Sequence, residues 1–538
     1  MRQLRLFHAT SPQFSTLHLR WTRAAWVRAS RVLVLIMAGT LAGCRTFVPD
    51  PAAPDVVAHI PESFTHTATT LPGDSLAYAT AAVHWWNAFG DPVLNALVDS
   101  ALVANLDLVQ AVARLKEVRA LRKQTQSNLF PTVSVDGTSS YSDSPANVGQ
   151  AAAFSGNGQG GGPDRIAFET STTALSVSYE VDLWGRLRNE SRAANRDVLA
   201  SESDLQAVRL AVVGGVIQAY FDLVMQREQL ALLEETITVL AERVEQAEER
   251  YQRGLTDSFV LYQLRQDERS TVAQRPQQRS ALAAAEYRLA ALTGRFPDEL
   301  DVLLGKQLTP RLAFDQVPIG VPADLLVQRP DVRAAAFRFE AERYRVGASR
   351  ARLMPSIALN GSLGITTEGF FGGGLLNGLS DILNQWTLNL VSSTVSPIFQ
   401  GGRLRAQVSA SEARYEQQAA AFAASVVTAM RETSAALVDY EEQRRRYVLL
   451  IDQRDEAQAN VTLLAERFGS GVAAYSEFLD AQRALYQAET ALAIAARDVA
   501  VARLSVHRAL GGTWTSEEAE PVLRLMQIEA PFTDQLGS

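Results

Sequence analysis

Apolar residues recur every three or four positions over two very long stretches of the chain, and at every second position over four short ones. From Gly185 to about Arg253 there is no proline, and Leu230, Leu233, Ile237, Leu240 and Val244 mark one face of a helix. At ~1.5 Å per residue such a helix reaches ~100 Å, far longer than a globular core requires. A second helix is predicted from about Ser258 to Leu292. The same pair returns from Arg403 to Phe468 and from about Ser476 to Leu510. Alanine dominates the later helices ("QQAAAFAASVV", "ALAIAARDVAVA"), and small side chains let helices pack closely in a coiled-coil-like bundle.

Between the helices the period becomes two. In "LSVSYEVDL" Leu175, Val177, Tyr179, Val181 and Leu183 face one way, and Ser176, Ser178, Glu180 and Asp182 the other. "SIALNGSLGI" alternates likewise through Ile357, Leu359, Leu363 and Ile365, and "TVSV" and "WTLNL" complete four strands. The Gly-rich segments "VGQAAAFSGNGQGGGPD" and "TEGFFGGGLLNG" join them in pairs. Strands of about ten residues with one apolar face suit a transmembrane β-barrel, and a half-buried soluble sheet gives the same pattern. Four strands cannot close a barrel, and lipid tolerates no open edge, so a membrane location demands that several copies share one barrel.

The chain is one unit written twice. "ERYQRGLTDSFVLYQLRQDE" from Glu249 matches "ERFGSGVAAYSEFLDAQRAL" from Glu466, placing Gly254 over Gly471. The same offset brings "GRLR" at Gly185 onto "GRLR" at Gly402. "FPTVSVDG" from Phe130 answers "MPSIALNG" from Met354, and "LTG" ending at Gly294 answers "LGG" ending at Gly512. Each matched sentence lies between two long helices, so Gly254 and Gly471 mark where the chain turns back, in the left-handed conformation that a helix exit favours. The steps beyond them, through Leu255 and Thr256 and through Val472 and Ala473, are short and mostly small.

The N-terminal end changes the charge balance. Residues 1–43 hold six arginines, no acid and the apolar run "VLVLIMAGTLAG", the build of a signal peptide. The run ends in "LAGC", which looks like a bacterial lipobox: Cys44, the sole cysteine of 538 residues, would carry covalent lipid as the mature N-terminus. Arg45 rather than Asp follows it, which in such signals implies sorting to the outer membrane. Removal of the signal leaves 45 basic against 59 acidic residues, a net charge of −14. An acidic chain without a basic cluster is a poor nucleic-acid binder. No later stretch approaches eighteen consecutive apolar residues, so no transmembrane helix is expected.

These landmarks resemble the TolC-like outer membrane factors, and the lipobox places the chain nearest the OprM/NodT-type efflux lipoproteins. The resemblance runs from about Trp85 to Gly512. It rests on "WWNAFGDPVLNALVDSALVANLDL", on "SYEVDLWGRLR" (Tyr179, Asp182, Trp184, Gly185, Arg186) and on "LLVQRPDVRAA" (Leu325, Leu326, Arg329, Pro330, Asp331). It departs where the second unit has "IFQGGRLR" against "DLWGRLR" in the first. What it implies is an α+β homotrimer: a 12-stranded transmembrane β-barrel, four strands per chain, continued by a periplasmic helical α-barrel with an equatorial belt. Its implied role is the exit duct of a tripartite efflux system, passing small molecules from an inner-membrane RND-type transporter and a periplasmic adaptor to the exterior. In such ducts the turns at Gly254, Leu255, Thr256, Gly471, Val472 and Ala473 meet the adaptor. Charged residues on the inner helix of the second unit close the periplasmic end, here Asp452, Arg454, Asp455 and Glu456. No cofactor, metal or nucleic-acid partner is implied beyond the lipid on Cys44 and the outer membrane lipid itself.

The organisation expected is a signal peptide over 1–43, an anchor and extended segment over 44–80, and a first repeat over 81–294. An equatorial linker over 295–321, a second repeat over 322–512 and an equatorial or disordered tail over 513–538 follow. Rival classes are a type I secretion duct and a structural periplasmic coiled-coil lipoprotein; the scaffold leaves the alternating strands without a use. An enzyme is not expected. Only His59, His66, His84 and His507 survive signal removal, without metal spacing, and no HExxH, GxSxG or P-loop occurs.

Overall fold

Both long periodic stretches are continuous helices in the computed structural model, and the two are equal in length. The model describes residues 47–50, 84–145, 165–304, 329–370, 386–470 and 472–512. After a short 3-10 helix (Trp85–Phe89), the first unit holds α1 (Pro92–Ala104), α2 (Leu106–Ser127), β1 (Thr132–Pro145), β2 (Arg165–Val181) and α3 (Arg186–Gln252). It continues through α4 (Ser258–Val272), α5 (Arg275–Leu292) and α6 (Pro297–Leu304). The second unit holds α7 (Pro330–Ala351), β3 (Ser356–Phe370), β4 (Trp386–Val395), α8 (Arg403–Gly469) and α9 (Tyr475–Ala509). Helices α3 and α8 each run 67 residues, ~100 Å.

The strands form one antiparallel sheet in the order β1-β2-β3-β4, so the central pairing, β2 with β3, joins the two units. Each strand continues into a helix at the same end of the sheet: α2 enters β1, β2 leaves into α3, α7 enters β3, and β4 leaves into α8. Those helices pack in the same sequence, α2 on α3, α3 on α7, α7 on α8. Farther from the sheet, α4, α5 and α9 pack on α3, and α9 on α8. The result is a single layer with two flanks, α2 with α4 and α5 on one side and α8 on the other.

The main apolar cluster lies at the middle of α3. Val212, Val213, Val216, Ile217, Tyr220 and Leu223 pack there against Trp85, Trp86 and Phe89, against Leu94 and Leu97 of α1, and against Leu504 of α9. This explains why α3 contains a window apolar enough to cross a membrane, which the sequence reading did not expect: half of that window is buried in the protein. The Asp-Pro step caps α1, since Asp91 accepts hydrogen bonds from the Val93 and Leu94 amides at 2.9 and 3.2 Å. Its other oxygen accepts a short hydrogen bond from the Tyr220 hydroxyl. Burial, then this bond to a carboxylate, pushes the Tyr220 phenol well above its usual range.

Arg329, 6% exposed, shows what the Arg-Pro-Asp step does. It pairs with Asp331 at 2.8 Å and with Glu432 of α8 at 2.7 Å, and donates to the Ala509 carbonyl at the end of α9 at 3.0 Å. One planar cation thereby fastens the start of α7 to both helices of the second unit.

Three expectations are corrected. The helix predicted from Ser258 to Leu292 is two helices, because Pro276 lies in the first turn of α5 and cannot donate to the preceding turn. Its counterpart α9 has no proline and runs unbroken for 35 residues. The segment assigned to linker begins with a helix, α6, which has Pro297 first and Asp298 and Glu299 in its opening turn. Leu304 at its end is buried in the main cluster, and 305–321 lie outside the described residues. Finally, β2 stops at Val181, so Asp182 and Leu183 are not in the strand. Asp182 instead accepts from the Leu187 and Arg188 amides at 3.1 and 2.9 Å, capping α3.

His507 of α9 stacks on Trp85 at 5.1 Å, and its Nε2 is shut away from solvent without a hydrogen-bond partner. Burial, with the Arg503 cation nearby, lowers its pKa to about 4. Because the folded value lies below the unfolded value of about 6.5, its contribution to stability is complete above pH 6.5. It is lost progressively as pH falls from there through about 4. Thermal dissociation of the purified protein followed between pH 7 and 4 is expected to show this loss, and His507→Gln to flatten the profile within that window.

Candidate functional site

The sheet is the first functional surface. Its register stacks side chains in rows: Val135, Leu175, Leu363 and Leu388 in one, Val133, Val177, Gly361 and Leu390 in the next. Thr173, Ile365 and Trp386 extend this face on one side, and Tyr179 with Leu359, then Val181 with Ile357, extend it on the other. Val133, Val135, Leu175, Val177, Leu359, Leu363, Leu388 and Leu390 are all exposed. From Val181 to Thr173 the band measures ~27 Å along the strand, close to the apolar height of outer-membrane barrels. The opposite face carries small polar groups, as in the row Ser134, Ser176, Ser362, Asn389. Some bond across strands, Ser178 Oγ to Asn360 Oδ1 at 2.8 Å and Thr172 Oγ1 with Thr366 Oγ1 at 3.3 Å. Among the described residues, β1 and β4 each pair on one side only.

The second surface is the pair of helical turns farthest from the sheet. Gly254 has φ +71°, and the Leu255 amide donates to the Arg250 carbonyl at 2.8 Å across it. The second turn makes the same closure, with the Val472 amide donating to the Arg467 carbonyl at 2.9 Å and Ala473 to the same oxygen at 3.2 Å. Gly471 itself lies outside the described residues. Leu255 and Val472 are 65% and 69% exposed, whereas Thr256 and Ala473 are half-buried. Asp257 caps α4 by accepting from the Phe259 amide at 3.2 Å. One apolar cluster underlies both turns, joining Leu240 and Ala247 of α3, Leu261 and Leu264 of α4, Val461 of α8 and Tyr475, Phe478 and Leu479 of α9. Phe468 stacks on Phe478 at 6.2 Å, and the Arg243 guanidinium lies 5.1 Å from the centre of the Phe478 ring. The two tips are therefore a single rigid head.

The charged segment of α8 divides. Asp452, Asp455 and Glu456 sit at helical neighbour spacing and are all exposed. Arg454 is half-buried, and burial together with Glu235 raises the pKa of Glu489 on α9, against which the Arg454 charge acts only in part. Arg454 reaches Asp455 with a 2.7 Å ion pair. The patch stands ~25 Å of helix back from the tip. Cys44 lies outside the described residues.

Two features escaped the sequence reading. Pro276 as a helix break was visible as a residue and not weighed. The exposure of Ile398 and Phe399 was signalled by the departure of "IFQGGRLR" from "DLWGRLR".

An amphipathic sheet extended by ~100 Å helices is the build of an outer-membrane channel protein. The sequence pattern of the Outer membrane efflux protein family matches residues 97–295 and 321–512, and the chain belongs to that family. It is 30% identical over 91% of its length, and 97% of the relative's, to the antibiotic efflux pump outer membrane protein ArpC of Pseudomonas putida. It is 26% identical over 88% of its length, and 96% of the relative's, to the probable outer membrane lipoprotein SilC of Salmonella typhimurium. The structure superposes on the outer-membrane channel OprN with a TM-score of 0.72, at 28% identity, covering 87% of this chain and 98% of that one. The protein is thus an outer membrane efflux channel, of a transport family rather than an enzyme family.

The glycines at the two ends of the first helix pair differ in what surrounds them. A Cβ on Gly294 (φ +67°) would press into the Ala104 carbonyl, whereas one on Gly254 would meet nothing within 4 Å. Gly254→Ala is expected to cost about 1 kcal/mol of backbone strain and leave a folded protein. Gly294→Ala adds the clash, and a clearly lower dissociation temperature should separate the two on a heated gel series.

Proposed function

We propose that three copies of this chain close a 12-stranded barrel across the outer membrane and form the exit duct of a tripartite efflux pump for small molecules. The observation that carries the reading is the single-layer build. Strands and helices follow one another in the same lateral order, and both flanks of the layer are left unpartnered within the chain. The flanking helices carry exposed apolar residues: Val427, Val438 and Leu449 on α8, and Val109, Val112 and Leu121 on α2. The α8 residues repeat every eleven positions, a spacing that keeps a stripe nearly in line on a helix and suits lateral contact with another helix. The partners that fit are a periplasmic adaptor at the tips and, beyond it, an inner-membrane transporter of the RND type. Covalent lipid on Cys44 adds a second hold on the membrane, a reading supported by the word lipoprotein in the name of the relative SilC.

Small-molecule transport is carried by the resemblance to efflux ducts and by relatives such as ArpC, named for antibiotic efflux. The polar, hydroxyl-rich face of the sheet forms the barrel wall seen by the transported molecule. Asp452, Asp455 and Glu456, present three times around the duct, concentrate negative potential near its periplasmic end.

Five outcomes test this reading. Purified protein in planar bilayers is expected to conduct as one channel per heat-labile trimer; a monomer that inserts but never conducts would refute it. Neutralising Asp452 and Asp455 together should lower cation selectivity or raise resting conductance in the same bilayers. Arginine at Leu255, Thr256, Val472 or Ala473 should abolish efflux while trimers still reach the membrane. Cysteines at Thr256 and Ala473 should crosslink to the cognate adaptor, and the Cys44→Ser chain should take up no labelled fatty acid.

A further inference from the structure

The two "GRLR" steps place the same pair of arginines at the foot of the sheet, and their surroundings differ. In the first unit every positive charge has a carboxylate. Arg186 pairs with Glu180 at 2.6 Å and with Glu190 at 3.1 Å, and Arg188 pairs with Asp182 at 3.1 Å while Asp182 also caps α3. In the second unit the corresponding arginines are Arg403 and Arg405, and each acid position is occupied by a residue without charge. Pro397 stands where Glu180 does, Phe399 for Asp182 and Gln407 for Glu190. Arg403 donates to the Gln400 side chain, and neither arginine has an ion pair among the described residues. The first turn of α8 has no side-chain cap, and two cations stand at the helix end where cations are least favoured. An anion is missing from this corner.

A second copy does not supply it. In a closed barrel β4 meets β1 of the next chain, and the segment leading into β1, residues 118–135, contains no acid. It brings instead Arg119, Arg122 and Lys123, of which only Arg119 has an ion pair among the described residues, with Glu202. Residues 386–411 contain no acid either. What lies beside Arg403 and Arg405 is apolar: Ile398 is 96% and Phe399 88% exposed. These two lie just past the end of β4, and a cleft of about 400 Å³ between the two junctions is lined by Pro397 and Arg403 on one side and by Trp184, Glu180 and Asp182 on the other, both acids being already engaged by Arg186, Arg188 and the α3 amides.

We propose that the β4–α8 junction is a phospholipid-binding anchor. Ile398 and Phe399 enter the acyl boundary of the periplasmic leaflet, and Arg403, Arg405 and the free amides of α8 take the headgroup phosphate in place of the carboxylate that Asp182 provides in the first unit. Exposed apolar side chains beside unpaired arginines, continuous with a membrane-spanning face, are the composition an anionic membrane surface recognises. The anchor rests on the reading of the sheet as membrane-spanning.

The test uses the full-length protein delipidated in detergent, with phosphatidylglycerol and phosphatidylcholine offered as single lipids and bound lipid counted by native mass spectrometry. Wild type is expected to retain phosphatidylglycerol in preference to phosphatidylcholine. Arg403→Gln with Arg405→Gln should weaken that preference roughly twentyfold, at roughly fivefold for each basic residue at an anionic surface. Phe399→Asp, which restores the arrangement of the first unit, should abolish it and raise the dissociation temperature, since the carboxylate then caps α8. Retained preference in both variants overturns the anchor, as does a wild type that binds the two lipids equally. If the glutamine variant instead dissociates into monomers while the lipid count per folded chain is unchanged, the arginines join copies and the anchor is wrong. Conductance of the wild type, measured alongside, reports on the barrel separately from these outcomes.

Discussion

Everything in this chain follows from backbone hydrogen bonds that it cannot complete alone. A strand edge in water is solvated, but in hydrocarbon each unpaired N–H or C=O costs several kcal/mol. On the proposed placement of the face formed by Val133, Val177, Leu363 and Leu388 in hydrocarbon, β1 and β4 each keep one bare edge among the described residues. No rearrangement within the chain cures this, because four strands with antiparallel register cannot curl far enough to meet. Edge-to-edge association of copies is the arrangement proposed above to meet this constraint. The helices obey the same constraint, since each strand hands its lateral position to the helix that continues it.

Duplication makes the constraint soluble at low complexity. Each unit contributes a hairpin and the long helix that leaves it, and the β2–β3 ladder joins the units with the same bonding that would join copies. The differences between units fall where the surroundings differ. Pro276 breaks the return helix of the first unit, whereas α9 stays whole beneath the main cluster and the tip cluster, supplying Leu504 to one and Phe478 to the other. The first "GRLR" sits inside the layer and is neutralised by acids; the second sits at its flank and is not. Arg329 and the Asp91–Tyr220 pair add polar ties to the apolar cluster that holds the layer at mid-height.

Much of this was legible in the sequence because it depends on period alone. The bounds of α3 and α8 fall within a residue or so of the periodic stretches; the strands include the alternating stretches but run beyond them, β1 on to Pro145 and β3 through residues 367–370, which in letters begin a Gly-rich loop. What was not legible depends on contacts distant in sequence. The apolar window of α3 reads like a membrane span until Trp86 and Leu97 are packed on it. Leu183 continues the alternation of β2 in letters, yet the chain has already left the strand so that Asp182 can cap α3. Of the gate that the resemblance implied, the fold leaves Asp452, Asp455 and Glu456 exposed and half-buries Arg454, a division that the letters alone did not give. The two tips were legible as turns; that the helices flanking them share one apolar cluster needed the fold.

The claim that the two bare edges meet is open to direct measurement. A cysteine at Ser134 in β1 can be combined with one at Asn389, Val391 or Ser393 in β4, in a chain whose Cys44 is replaced by serine, and the membranes oxidised. Edge-to-edge closure gives, for the pair in register, a covalent ring that migrates at three chain masses and reverts to one on reduction. Membrane-inserted protein that forms no interchain bond at any of these pairs, or that forms an open ladder passing three chains, would contradict it.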